Sequence, residues 1–101
     1  MLIVKLEDYE RLRQQFQEQA DGHERMIGTA KEHLKEAKRQ VRKAVKEDNV
    51  DNLLHWELKV DHWARVLDYN RERYNTYSKI VKSYDRLISK MQKNGIKQIV
   101  A

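Results

Sequence analysis

The sequence predicts an all-α protein: a long antiparallel helical hairpin of the coiled-coil type. Short β segments are expected at its ends, and two hairpins are expected to dimerise into a four-helix bundle. Three observations carry this prediction. Proline is absent and glycine occurs three times in 101 residues, so little in the chain interrupts helix. Apolar residues recur in alternating steps of three and four along two separate stretches. The two stretches also mirror each other about a single point in the chain.

The second half of the chain carries the clearer of the two stretches. Leu53, Trp56, Val60, Trp63, Leu67, Asn70, Tyr74, Tyr77, Val81, Tyr84, Ile88 and Met91 keep the three-four rhythm without a miss. This is a heptad seam with Leu53 at an a position and Trp56 at a d position. It predicts a helix over 51–94, roughly 43 residues and about 65 Å long at 1.5 Å per residue. Both tryptophans and four of the five tyrosines fall between residues 55 and 87. Most occupy the seam and read as core. Tyr69 is the main exception, which leaves little for a base-stacking platform.

The first half repeats the pattern with smaller side chains. Phe16, Ala20, His23, Ile27, Ala30, Leu34, Ala37, Val41 and Ala44 form the seam, and Tyr9 extends it across a polar position at Arg13. Helix is predicted over 6–47. Asp21-Gly22 resembles a turn, but the heptad phase runs through it unbroken, so one long helix is expected there rather than two short ones. Gly22 and Gly28 lie off the seam and cost about 1 kcal/mol each.

Both seams cease at "EDNVD", where Asp48 and Asn49 suit a turn over 48–50, and Asn49 or Asp51 suits a helix cap. Folding the chain there layers Ala44 on Leu53, Val41 on Trp56, Leu34 on Trp63, Ala30 on Leu67 and Phe16 on Val81. Each a position meets a d position, as an antiparallel pair requires, and small faces large in several layers. At the far end, Asn94-Gly95 is a helix stop before "IKQIVA". The β-branched segments 2–5 and 96–100 then come together, and antiparallel strands are expected. A two-stranded ribbon is marginal alone, so a partner chain can extend it.

Composition bounds function. The chain is one domain in length, and 37% charged against 40% hydrophobic residues argues for a folded protein. Cysteine is absent, which points to the cytoplasm and removes disulfide and thiolate chemistry. The opening "MLIVKLEDY" turns acidic too soon for a usual signal peptide, and no stretch is long enough to span a membrane. No catalytic residues, cofactor site or metal site are predicted. No glycine-rich phosphate loop and no Ser/His/Asp constellation can be assembled. The carboxylates lie off the seam, without the sheltered pocket an acid–base pair needs. His55 and His62 are about 10 Å apart along a helix, too far to share one ion. His33 flanks the seam, and His23 sits on it near Asn70, a polar layer of the kind that fixes register.

Two surfaces remain. Between Lys31 and Lys46, seven basic residues face two acidic ones, an excess equal to the whole formal charge of +5. Lys31, Lys35, Lys38, Arg39, Arg42 and Lys46 fall on outward b, e and f positions. They make a candidate surface for an acidic protein or for nucleic-acid phosphates. Glu32 and Glu36, each three residues before a basic residue, can neutralise part of it. Outside the seam, helix two carries Leu54, Leu58, Val66, Tyr69, Ile80 and Leu87, more apolar surface than a lone hairpin covers; these are the candidate self-association residues. The expected function is a non-enzymatic protein–protein interaction, assembly or regulatory protein that acts as a homodimer. The build suits a small accessory protein of a bacterium or its phage. The alternative is a nucleic-acid-binding protein using the basic stripe.

Overall fold

The computed structural model describes residues 3–96 and 98–100. It is an all-α helical hairpin with a short strand at each end: β1 (Ile3–Lys5), α1 (Leu6–Lys46), α2 (Val50–Lys93) and β2 (Gln98–Val100). No helix is long and apolar enough to cross a membrane. The residues cluster into two compact units. The turn unit is His23–Glu72, and the ribbon unit combines Met1–Gly22 with Arg73–Ala101. Residues 21 and 22 are helical, so α1 is not broken at Gly22.

In the turn unit, backbone geometry sets the reversal. Asp48 adopts a left-handed conformation at φ 53°. Asn49 N–H then reaches back to Ala44 O at 3.0 Å and Asp48 N–H to Val45 O at 3.3 Å. This is a Schellman cap, which satisfies carbonyls that a helix end leaves open. Helix α1 consequently stops at Lys46, one residue short of the expected end. Asn49 also starts α2, because its Oδ1 accepts the Asn52 N–H at 3.1 Å. That cap puts Val50 inside the helix rather than in the turn, and it puts Asp51 in the first turn, where a carboxylate complements the helix dipole.

The core of this unit is small on one arm and large on the other. Ala30, Ala37 and Ala44 are buried on α1, and Leu67 and Asn70 on α2. Trp56 and Trp63 remain half-buried. An alanine offers the facing helix almost no side chain to cover, so it is enclosed completely while the large ring opposite extends to the rim. His33 lies parallel to Trp63, with ring centroids 4.1 Å apart and an interplanar angle of 8°.

The ribbon unit packs differently. Phe16 stacks against both Tyr77 and Tyr84, at 6.0 and 5.7 Å between ring centroids. Those two rings bracket Val81, the buried residue that the mirror register assigns to Phe16. Tyr9 joins the cluster through Tyr84 at 6.0 Å. The polar seam position at Arg13 is answered across the helices by Asp85, Nε to Oδ1 at 2.8 Å. Ala20, Val81 and Met91 are the buried apolar residues here.

At the open end, α2 stops at Lys93 because Gly95 takes φ 65° and a second Schellman cap forms. Gly95 N–H donates to Gln92 O at 3.2 Å, and Ile96 N–H to Met91 O at 2.8 Å. That last bond commits the Ile96 N–H to the cap, so the strand begins after Ile96 rather than at it. The strands pair antiparallel, Ile3 with Val100, Val4 with Ile99 and Lys5 with Gln98. Leu2 and Lys97, which the expected strands included, lie outside the described residues. Asp8 completes the start of α1 by accepting the Lys5 N–H at 2.9 Å, half of a capping box.

Candidate interaction surface

Lys31, Lys35, Lys38, Arg39, Arg42 and Lys46 are all exposed along α1 of the turn unit. Their outward placement follows from the seam: with Leu34, Ala37, Val41 and Ala44 turned inward, the intervening positions face solvent. One of the six is committed locally. Glu36 accepts from Arg39 Nε at 2.9 Å and Nη2 at 2.7 Å, and from Gln40 Nε2 at 2.9 Å. The Arg39 and Gln40 hydrogen bonds to the charged form hold the Glu36 carboxyl at about 2, against an ordinary 4.5. Its partner shifts the opposite way, since the same Glu36 bond raises the Arg39 guanidinium. Lys31, Lys35, Lys38, Arg42 and Lys46 make no hydrogen bond or ion pair among the described residues.

Large aliphatic side chains surround the same region. Val45, Val50, Leu54 and Leu58 are 58, 64, 56 and 72% exposed. Val45 lies three residues after Arg42 and four after Val41, on the same side of α1; Val50, Leu54 and Leu58 follow one another at four-residue spacing on α2. Between the helices runs an open groove of about 370 Å³, lined by Lys38, Val41 and Arg42 from α1 and by Glu57 and Val60 from α2. Its floor is apolar, one wall is basic and the other carries a carboxylate.

Counting charge over the folded unit changes the meaning of the stripe. The turn unit holds eleven basic and ten acidic residues. Glu47 and Asp48 at the turn, together with Asp51, Glu57, Asp61, Asp68 and Glu72 on the first half of α2 less Lys59, Arg65 and Arg71, offset most of the excess on α1. The unit is therefore close to neutral but strongly divided, basic along one helix and acid-rich along the other. Summing charge along α1 alone leaves out the carboxylates of the turn and of α2.

The remaining candidates divide between the units. In the turn unit Tyr69 is exposed and meets His23 edge-on, at 6.2 Å, while Val66 is half-buried. In the ribbon unit Ile80 and Leu87 are half-buried and line a second open groove with Tyr9, Ser83 and Tyr84. Val45 and Val50 belong to the exposed apolar set too, although they sit at the turn, where the heptad pattern has ended and gives no signal.

Each histidine meets a ring or a hydrogen-bond partner. His23 Nδ1 lies 2.7 Å from Asn70 Oδ1. Asn70 Nδ2 donates to Val66 O at 2.8 Å, so Oδ1 must be the acceptor and His23 Nδ1 carries the proton. His55 and His62 each meet the following tryptophan edge-on, at 5.2 and 5.1 Å. Among the described residues no three His, Asp or Glu side chains gather as a metal site would require. No protein-family model, curated protein or solved structure matches this chain.

Proposed function

We propose that this chain is a non-enzymatic interaction protein that self-associates through its helix faces and engages a protein partner near its turn, in the cytoplasm. The observation that supports this most is the group Val45, Val50, Leu54 and Leu58, each more than half exposed beside unpaired cations. Exposed apolar surface near charge suits a protein interface, because burying it gains about 25 cal/mol per Å². Among the described residues no two titratable side chains are buried together.

Nucleic-acid binding is the second reading, and the five unpaired cations on α1 favour it. Against it stand the carboxylates of α2 on the same unit, which repel phosphates, and aliphatic groups that a phosphate backbone does not cover. Sedimentation of the protein alone and with a mixed-sequence DNA duplex, at low and moderate salt, separates the two. Self-association without the duplex is expected, with Leu58→Asp abolishing partner capture. Co-sedimentation with DNA that disappears as salt rises would overturn the first reading in favour of the second.

A further inference from the structure

We infer that the groove between Lys38–Arg42 and Glu57 is the contact through which two copies of this chain join, with each copy's α1 laid over the other's α2. The inference rests on the self-association reading above and deepens it by naming the face, the pairing of helices and their direction. A twofold interface must be complementary to itself, because the same patch is supplied by both subunits. Few patches on this molecule meet that condition. The α1 cations by themselves would meet an identical row of cations. The groove instead has Lys38 and Arg42 on one wall, Glu57 on the other and Val41 and Val60 between them. None of its three charged residues has an ion-pair partner among the described residues, so all three are available to a second chain.

The direction follows from symmetry. Two hairpins stacked face to face can be related by a twofold axis running across the helices or along them. An axis across them puts α1 on α1, bringing Lys38 and Arg42 toward the basic ridge of the partner. An axis along the helices puts each α1 on the other copy's α2 and preserves height along the bundle. Lys38 and Arg42 of each copy then meet Glu57 of the other, twice per dimer, around a shared apolar centre. Every neighbouring pair of helices is antiparallel, and both turns lie at the same end. Leu54, one turn before Glu57, extends the apolar contact toward Val45 and Val50.

Charge reversal and mixing test this directly. Lys38→Glu with Arg42→Glu places like charges opposite Glu57, and Glu57→Lys does the same from the other side. Each variant should self-associate about a hundred-fold more weakly, since like charges opposed at an interface cost several kcal/mol. Mixing the two variants should restore a heterodimer, because each reversed group then meets its reversed complement in both contacts. The triple variant should restore the homodimer. Circular dichroism confirms that each variant is helical, and a variant that merely misfolds cannot be rescued by mixing. The chain lacks cysteine, so Val45→Cys, on the Val41–Arg42 side of α1 near the turn, reports direction with a short bis-maleimide: cross-linked dimers are expected with the turns together.

Other results overturn the inference. If the native chain dimerises but the reversals leave it unchanged, or mixing fails to restore a dimer, self-association stands and this face does not mediate it. If dimers form but the Val45→Cys protein does not cross-link, the direction is wrong. If the native chain stays monomeric, both the inference and the self-association reading fall. If it stays monomeric and binds duplex DNA through Lys38 and Arg42, the face belongs to nucleic acid.

Discussion

The ribbon unit and the turn unit use one heptad pattern to build two kinds of seam. In the ribbon unit, rings from both helices interlock, Tyr9 and Phe16 against Tyr77 and Tyr84. Arg13 and Asp85 add a cross-helix ion pair. In the turn unit both tryptophans come from α2, and the buried residues of α1 are Ala30, Ala37 and Ala44. Aromatic pairs spread their contact over large surfaces. An alanine seam depends on nothing larger being present. The same period thus yields one seam sensitive to lost volume and another sensitive to added volume.

Two core substitutions should expose that contrast most strongly. Met91→Ala in the ribbon unit removes a side chain that is only 2% exposed, and a loss of about 2–5 kcal/mol is expected. Ala30→Leu in the turn unit adds volume at a position with no exposed surface, and about 1–3 kcal/mol should be lost. Urea unfolding monitored by circular dichroism measures both. If Ala30→Leu is neutral, the alanine seam is loosely packed and the comparison fails.

The polar layer of the turn unit comes next in size. Asn70→Leu removes the Asn70 Oδ1 acceptor from His23 Nδ1 and should cost about 1–3 kcal/mol. Replacing His23 and Asn70 together by leucine should cost less than the single change, because no buried polar group is then left unpaired. A double substitution that is worse than either single one would show that the layer contributes more than mutual satisfaction.

One glycine in each unit offers the same substitution with opposite sign. Gly28 is helical, and a methyl group there would meet nothing within 4 Å. Gly28→Ala should therefore stabilise by about 0.5–1 kcal/mol. Gly95 holds a left-handed φ of 65°, and Gly95→Ala should destabilise by about 1 kcal/mol through the cap. Thermal midpoints moving in the same direction for both would contradict the cap geometry.

The smallest effect belongs to Glu36. Its folded value near 2 lies below the ordinary 4.5, so its contribution is present above about pH 4.5 and is lost as pH falls toward 2. Both partners are solvent-exposed, and the influence on stability is slight. The test is therefore a carboxyl NMR titration, in which Arg39→Ala should return Glu36 toward the ordinary value. A Glu36 midpoint that stays near 2 in that variant would shift the cause to Gln40.

The amino-acid sequence by itself determined the helices, the seam and the register. Every buried residue among those described is a seam position, because burial in a two-helix pair is dictated by helical period alone. The reversal at Asp48–Asn49 was legible for the same reason, as the centre about which two periodic patterns mirror. Helix ends moved by one residue where Asp48 and Asn49 chose particular backbone and capping roles that residue type permits but does not impose. The candidate surface was half legible: the six cations were found on α1, but their acid-rich neighbour was not. Which groups share a face across two helices depends on docking, and a tally along one strand of sequence contains no information about it. Only the tertiary structure placed Glu57 opposite Lys38 and Arg42, laid His33 on Trp63 and set Asp85 beside Arg13. Each of those placements relates residues far apart in the chain, and packing rather than local preference brings them together.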